Sequence, residues 1–172
     1  MSLAAENFTE TVERFCEWVE QDSHTLLEAR QFLISLMGAI PHLQDFRFVT
    51  ETEDDYPSRG HEKWKSDLKR FADLPFQYYR VVFDPHDMDS ADEPVTGDLH
   101  DDLADIYGDL WTGLQAQKAD KSVDALSIWI DSYFYHWGHH ASCALNAIDE
   151  FYRQNYYQSE QAEDGDASQR PC

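Results

Sequence analysis

The chain has 172 residues, enough to bury a sizeable core within one domain. Hydrophobic residues make up 42% of it and aromatic residues 14%, a composition typical of a folded protein rather than a disordered one. Thirty-four acidic residues against 13 basic ones give a formal net charge of −21. This charge excludes nucleic acids and anionic membranes as ordinary partners, because binding to either requires Lys and Arg.

Three features of the sequence bear on location. No segment reaches the roughly 20 consecutive apolar residues that a membrane span requires. The N-terminal segment lacks a basic region followed by an apolar one, so it does not resemble a signal peptide. Cys16, Cys143 and Cys172 are too widely scattered for a disulfide framework or a paired metal motif. We therefore expect a soluble, cytoplasmic protein.

The first half of the chain predicts three helices. In ENFTETVERFCEWVEQ, apolar residues recur at helical spacing on one face: Phe8, Val12, Phe15 and Val19. We expect Ser23 to cap a second helix, which runs through LLEARQFLISLMGAI and ends near Gly38. Residues 41–60 read as a loop, and a third helix in HEKWKSDLKRFADL stops at Pro75.

The second half predicts one extended segment and two further helical regions. FQYYRVVF is aromatic and β-branched, but no second strand of comparable strength accompanies it, and the acidic segment after it reads as a loop. DLHDDLADIYGDLWTGL has a clear apolar stripe: Leu99, Leu103, Ile106, Tyr107, Leu110 and Leu114. The last region, from Ser122, is either one helix of about 35 residues or two helices that meet near Gly138.

Together these elements predict an all-α protein. The default architecture is an antiparallel up-and-down bundle of about five helices, with at most one short extended segment near residues 76–83. The helical domain is expected to span residues 1–157. Residues 158–172 have no apolar anchor and predict a disordered acidic tail.

An unusual polar cluster, HWGHH, interrupts the apolar face of the last helix. On a helical wheel His140 lies inside the apolar stripe and His136 at its edge, whereas His139 points toward solvent. One flank of the preceding helix carries three aspartates at spacings of three and four: Asp102, Asp105 and Asp109. Such a row of like charges is unfavourable unless water, a cation or a protonated histidine offsets it.

The first interpretation of this cluster is a metal site. Histidines four residues apart present two imidazoles on one side of a helix, and facing carboxylates complete a ligand set for a divalent metal. The candidate ligands are His136, His140, Asp102 and Asp105. The spacing is common in helices, however, and no HExxH motif accompanies it.

Two other interpretations stay open. An Asp–His pair can act as a general base, but no motif places a nucleophile beside it, and Cys143 is only a weak candidate for a thiolate partner. Alternatively, His136 and His140 are structural residues at the edge of the core, hydrogen-bonded to aspartates and packed by Trp137. This structural interpretation is the one that the sequence favours.

The expected function follows from charge and cluster together. The favoured role is a soluble, acidic, helical binding or interaction protein, without a cofactor, whose surface suits a basic protein partner. The alternative is a metal-binding protein or a metal-dependent enzyme that uses a divalent metal in the inter-helix Asp/His cluster. On balance the sequence favours a protein that is not an enzyme.

Four motifs carry a resemblance to a known family. FCEWVE, YYRVVFDP, DLHDDLADIYGDL and HWGHHASCAL, in this order, resemble a bacterial family known as domain of unknown function 5063, from Phe8 to Tyr152. The resemblance implies a helical bacterial protein. It also implies that six residues occupy the family's signature positions: Asp102, Asp105, His136, Trp137, Gly138 and His140. It implies no activity, cofactor or catalytic residue.

Overall fold

The computed structural model describes residues 2–49, 55–82, 84–89 and 93–167. Six α-helices make up most of this part: α1 (Leu3–Val19), α2 (Leu26–Ala39), α3 (His61–Leu68), α4 (Leu99–Lys118), α5 (Ser122–Ser132) and α6 (Gly138–Ala167). Short 3-10 turns follow α2 and α3 at Ile40–His42, Gln44–Phe46 and Lys69–Phe71. The prediction of a mostly helical protein is confirmed, and the up-and-down order of its helices stays a prediction.

Helix α4 lies at the centre of the fold, where it contacts α1, α3, α5 and α6. All six apolar residues predicted for its stripe are buried. At Gly113 the helix approaches α5 so closely that an added Cβ would lie 2.1 Å from Nε1 of Trp129. The same Nε1 donates to the carbonyl of Leu110 at 2.8 Å, which ties α5 to α4.

The start of α2 differs from the prediction. Thr25, not Ser23, is the capping residue: its hydroxyl accepts from the backbone N–H of Glu28 at 3.2 Å. The Glu28 carboxylate in turn accepts from the backbone N–H of Thr25 at 3.1 Å. This reciprocal capping box requires Thr and Glu three residues apart, a spacing that Ser23 does not offer.

A small sheet corrects the expectation of an unpaired extended segment. β1 (Tyr78–Val81) pairs antiparallel with β2 (Val95–Asp98), in a register that sets Tyr79 opposite Gly97. The sequence analysis assigned Val95–Gly97 to a loop because the segment before them is acidic and contains two prolines. Gly97 is required here, since the Tyr79 ring lies 2.5 Å from where its Cβ would be. Val95–Asp98 therefore forms a strand because it pairs with β1, and not because its residues favour extended structure.

The last helical region is one continuous helix. A π-helical turn, Tyr133–Trp137, joins α5 directly to α6. The backbone N–H of Gly138 closes the turn on the carbonyl of Tyr133, and a Cβ at Gly138 would lie only 2.3 Å from that oxygen. Gly138 therefore allows the wider π-helical turn. From the sequence, the helix could have been either continuous or broken at this residue.

Helix α6 continues to Ala167, through the first part of the segment for which a tail is predicted. Residues 168–172 lie outside the described residues, and the boundary at residue 157 stays a prediction. Among the residues that the structure describes, no helix combines the length and the apolar content needed to cross a bilayer.

Candidate functional site

The polar cluster lies where α4 packs against the π-helical turn and the start of α6. Asp102, Asp105 and Asp109 project from one side of α4, and the opposing residues are His136 and His140. His140 Nδ1 lies 2.8 Å from Asp102 Oδ1, and His136 Nδ1 lies 3.0 Å from Asp109 Oδ2. Of the six residues that the sequence places in the candidate cluster, all but Trp137 therefore meet here: Asp102, Asp105, Asp109, His136 and His140.

His140 is held between two carboxylates. Its Nδ1 faces Asp102, and its Nε2 lies 3.5 Å from Oδ2 of Asp105. Burial lowers the pKa of His140, but the hydrogen bond to Asp102 and the charge of that carboxylate outweigh burial and raise the pKa above its ordinary value. The ring therefore keeps its proton to a higher pH than an isolated histidine does.

Asp102 is fixed by a second contact from the sheet. Its Oδ2 accepts a hydrogen bond from the Tyr79 hydroxyl of β1 at 2.5 Å, and its side chain is only 8% exposed. Burial and the Asp102 carboxylate raise the pKa of Tyr79, so the hydroxyl stays protonated and donates. Both oxygens of Asp102 are thus engaged, one by Tyr79 and one by His140.

Asp105 is oriented in a similar way from α3. The indole Nε1 of Trp64 donates to Asp105 Oδ1 at 2.8 Å, which leaves Oδ2 directed at His140. The sequence analysis missed the contributions of both Trp64 and Tyr79 to the cluster. The available signal was weak: an indole N–H and a phenol O–H in otherwise apolar segments need acceptors when they are partly buried.

His136 is the exposed member of the cluster. Its side chain is 49% exposed, and its ring lies 4.8 Å from that of His140, centroid to centroid. Burial raises the pKa of its partner Asp109, against the lowering effect of the hydrogen bond from His136. One ligand atom each from Asp105, His136 and His140 lies within 4.8 Å of the other two.

The arrangement could bind a cation, because carboxylates orient the histidines from behind. Each histidine uses Nδ1 to contact a carboxylate, Asp102 or Asp109, and so leaves Nε2 available. A metal-binding histidine usually donates its second N–H in this way, which fixes the tautomer and orients the ring. Residues His136, His140 and Asp105 could therefore hold a metal, with Asp102 and Asp109 behind the histidines.

Three neighbouring residues lie outside this group. Trp137 belongs to the core, where its Nε1 donates to the carbonyl of Trp129 at 2.9 Å. His139 is exposed, as the helical wheel predicts, and its Nε2 lies 3.6 Å from Sγ of Cys143. Burial and the charge of Asp102 raise the pKa of Cys143, so the thiol is not activated as a nucleophile.

Comparisons with known proteins agree with this fold and leave the chemistry open. The sequence model of a family described as "Domain of unknown function (DUF5063)" matches residues 1–154. The crystal structure of protein BF1032 from Bacteroides fragilis is similar, with a TM-score of 0.69, over 87% of this chain and 92% of that chain. At 16% sequence identity this likeness shows the fold alone. A comparison with curated proteins gives no match.

Proposed function

The chain belongs to the family described as a domain of unknown function (DUF5063), and we propose that it binds one divalent transition-metal ion in the Asp/His cluster. The ligands are Nε2 of His136, Nε2 of His140 and Oδ2 of Asp105. Asp102 and Asp109 act as positioning residues, because each accepts a hydrogen bond from a histidine Nδ1.

One observation carries this proposal: one ligand atom each from Asp105, His136 and His140 converges, while Nδ1 of each histidine contacts a carboxylate. An ordinary surface ion pair needs no such anchoring. Trp64 adds to the argument, because it holds one oxygen of Asp105 and leaves the other free for the cation. Tyr79 does the same for the carboxylate behind His140. Four side chains from three elements thus orient three ligands.

The distances suit a metal after a small adjustment. With bonds of about 2.0–2.1 Å, tetrahedral ligand atoms lie roughly 3.4 Å apart. The separation of 3.5 Å between His140 Nε2 and Asp105 Oδ2 already matches this value. The three ligand atoms lie within 4.8 Å of one another, so binding a metal would bring them closer by about 1 Å, most easily at His136, the most exposed of the three. Its ring is 49% exposed, so little packing opposes that shift.

The donor set points to a class of metal. Two imidazoles and one carboxylate suit Zn²⁺, Fe²⁺ or a neighbouring first-row ion, whereas Ca²⁺ and Mg²⁺ prefer oxygen ligands throughout. Three protein ligands leave at least one coordination position for water or a substrate, as in catalytic rather than structural zinc sites. A metal-dependent enzyme is therefore the form of this function that the ligand count favours.

Elemental analysis tests the proposal. Untagged protein, purified without chelator or metal resin and then equilibrated with Zn²⁺, is compared with the double variant His136→Ala/His140→Ala. We expect about one metal ion per chain in the wild type and none in the variant. His139→Ala, an exposed histidine on the same helix, is the matched control and should keep the ion. Wild-type protein without metal, or a double variant that retains it, would contradict the proposal.

A second role, capture of a basic protein partner, is supported by the net charge of −21. Oppositely charged surfaces accelerate and orient association, and this effect weakens as salt rises. Pull-downs at low and high ionic strength test it: a specific basic partner should be lost at high salt and kept by the double histidine variant. We also propose a cytoplasmic location in a bacterium, which suits the scattered thiols.

A further inference from the structure

A groove with a volume of about 440 Å³ lies between β1 and the middle of α6. One wall is formed by consecutive residues from Tyr79 to Val82. The other wall is one side of α6, where His139, Cys143 and Asn146 follow each other at helical spacing. None of the four residues of β2 lines the groove, so the groove lies beside β1 on the side away from β2.

The edge of β1 that points away from β2 has unpaired backbone groups. The backbone N–H of Leu99 donates to the carbonyl of Gln77 at 2.8 Å, which makes these two residues a hydrogen-bonded pair at the end of the ladder. In an antiparallel ladder such pairs alternate with pairs that exchange no hydrogen bonds. Tyr78 and Arg80 therefore direct their N–H and C=O groups outward. Within the described ranges, no turn or loop supplies these groups with a backbone partner.

The groove has the dimensions of a short extended peptide. His139 and Asn146 are seven residues apart in α6, a rise of about 10 Å, which is the length of roughly three residues of a strand. An open strand edge binds a further strand through its main-chain groups. We propose that β1 binds an extended peptide segment of a partner protein as the third, antiparallel strand of the small sheet.

The charge of the groove indicates which peptide fits. Arg80 is exposed and forms no ion pair in the part of the chain that the structure describes, and no carboxylate lines the groove. Side chains directly opposite each other on antiparallel strands lie on one face, where opposite charges stabilise the pair. The residue opposite Arg80 should therefore be Glu or Asp. Salt screens the acids farther away, because the Debye length is only about 8 Å at physiological ionic strength.

The side chains beside Arg80 add to this preference. Tyr78 is 64% exposed and Val82 is 42% exposed, and both share the face of Arg80 because side chains alternate along a strand. Aromatic and β-branched residues pair well across strands, which favours Val opposite Val82 and Tyr opposite Tyr78. A second copy of the chain is disfavoured as the occupant, because each copy carries a net charge of −21.

Fluorescence anisotropy tests the inference with the full chain and a labelled peptide, Gly-Val-Thr-Glu-Thr-Tyr-Gly, in the presence of a chelator. We expect saturable binding. Methylation of the Glu amide nitrogen removes the N–H that donates to the Arg80 carbonyl and should weaken binding about tenfold or more. Methylation of the amide nitrogen of the next Thr, which points away from β1, is the matched control and should leave the affinity within about twofold.

A charge reversal locates the peptide on the protein. Arg80→Glu should weaken binding of the Glu peptide about fivefold or more and should bind the same peptide with Lys in place of Glu more tightly than wild type does. Arg14→Glu is the matched control, since Arg14 is exposed on α1 and its replacement changes the net charge equally. This variant should behave as wild type toward both peptides.

Each contrary result overturns the inference, and none depends on the proposed metal site, since the chelator keeps the protein free of metal. Absence of saturable binding would show that the edge accepts no such strand. Equal effects of the two methylations would exclude strand pairing. Equal effects of Arg80→Glu and Arg14→Glu would place the peptide elsewhere. A dimer in sedimentation that the peptide dissociates would assign the edge to a second copy.

Discussion

Replacing Asp102 by Asn should weaken metal binding while leaving the fold in place. Asp102 never touches the proposed metal, but its two oxygens accept from His140 Nδ1 at 2.8 Å and from the Tyr79 hydroxyl at 2.5 Å. Asn has the same shape and keeps one acceptor oxygen for His140. What it removes is the negative charge that orients the imidazole and makes Nε2 a stronger ligand.

The expected magnitude follows from these contacts. Loss of a carboxylate behind a metal-binding histidine typically costs 10- to 100-fold in affinity, or about 1.4–2.7 kcal/mol. The fold should lose only about 1 kcal/mol, because the Asn oxygen still accepts from His140 and the Asn NH2 can donate to the Tyr79 hydroxyl, so neither partner is left unpaired. Asp102→Asn should therefore lose much of its metal affinity and little of its folding stability.

The measurement is a competition titration with a chromophoric chelator, accompanied by urea unfolding of the metal-free protein. Asp101→Asn is the matched control, since both aspartates lie in the first turn of α4 and contribute similarly to the helix dipole. The control should bind metal within about threefold of wild type. Wild-type affinity in Asp102→Asn, or equal losses in both variants, would refute the positioning role of Asp102.

Three further predictions concern the framework of the site. Gly138→Ala should lower the free energy of unfolding in urea by about 1–3 kcal/mol, because its Cβ collides with the Tyr133 carbonyl, whereas Gly108→Ala should stabilise α4 by about 0.5–1 kcal/mol. Burial lowers the pKa of His140, but Asp102 outweighs burial, so the pKa of His140 is higher in the folded protein than in the unfolded chain. Protonated His140 therefore stabilises the metal-free protein below the unfolded-state pKa of about 6.5. This stabilisation is lost as the pH rises through the folded-state pKa. Melting temperatures measured across this range should fall more steeply for wild type than for His140→Gln, and parallel curves would contradict the assignment. Arg59→Met should cost about 3 kcal/mol in urea unfolding, because the buried Asp67 carboxylate loses its two-point partner; a loss within error of zero would show that Arg70 alone suffices.

Helical periodicity predicted the orientation of single residues well, because it depends only on the chain's own geometry. The stripe from Leu99 to Leu114 is buried as its spacing predicts. His139 is exposed and His140 half-buried, as the wheel indicates. The side of α4 that carries Asp102, Asp105 and Asp109 could be identified from the sequence for the same reason.

Local features that depend on contact with another part of the chain could not be predicted from the sequence. β2 was missed because its four residues form a strand only when β1 lies alongside, with Gly97 beneath the Tyr79 ring. The π-helical turn was missed because helical wheels assume a constant period, and only the carbonyl of Tyr133 packed against Gly138 shows that the period widens. Propensities and wheels contain no information about such contacts.

The sequence by itself determined that this protein is helical and strongly acidic. It also determined that one face of α4 carries aspartates and one face of the last helix carries histidines. Only the tertiary structure decided which atoms meet: His140 with Asp102 and Asp105, and His136 with Asp109. Trp64 and Tyr79 enter the cluster from α3 and β1, segments about 40 and 20 residues away along the chain from their partners. The physical reason is that a side chain's direction follows from the local backbone, whereas distances of about 3 Å depend on how separate elements pack.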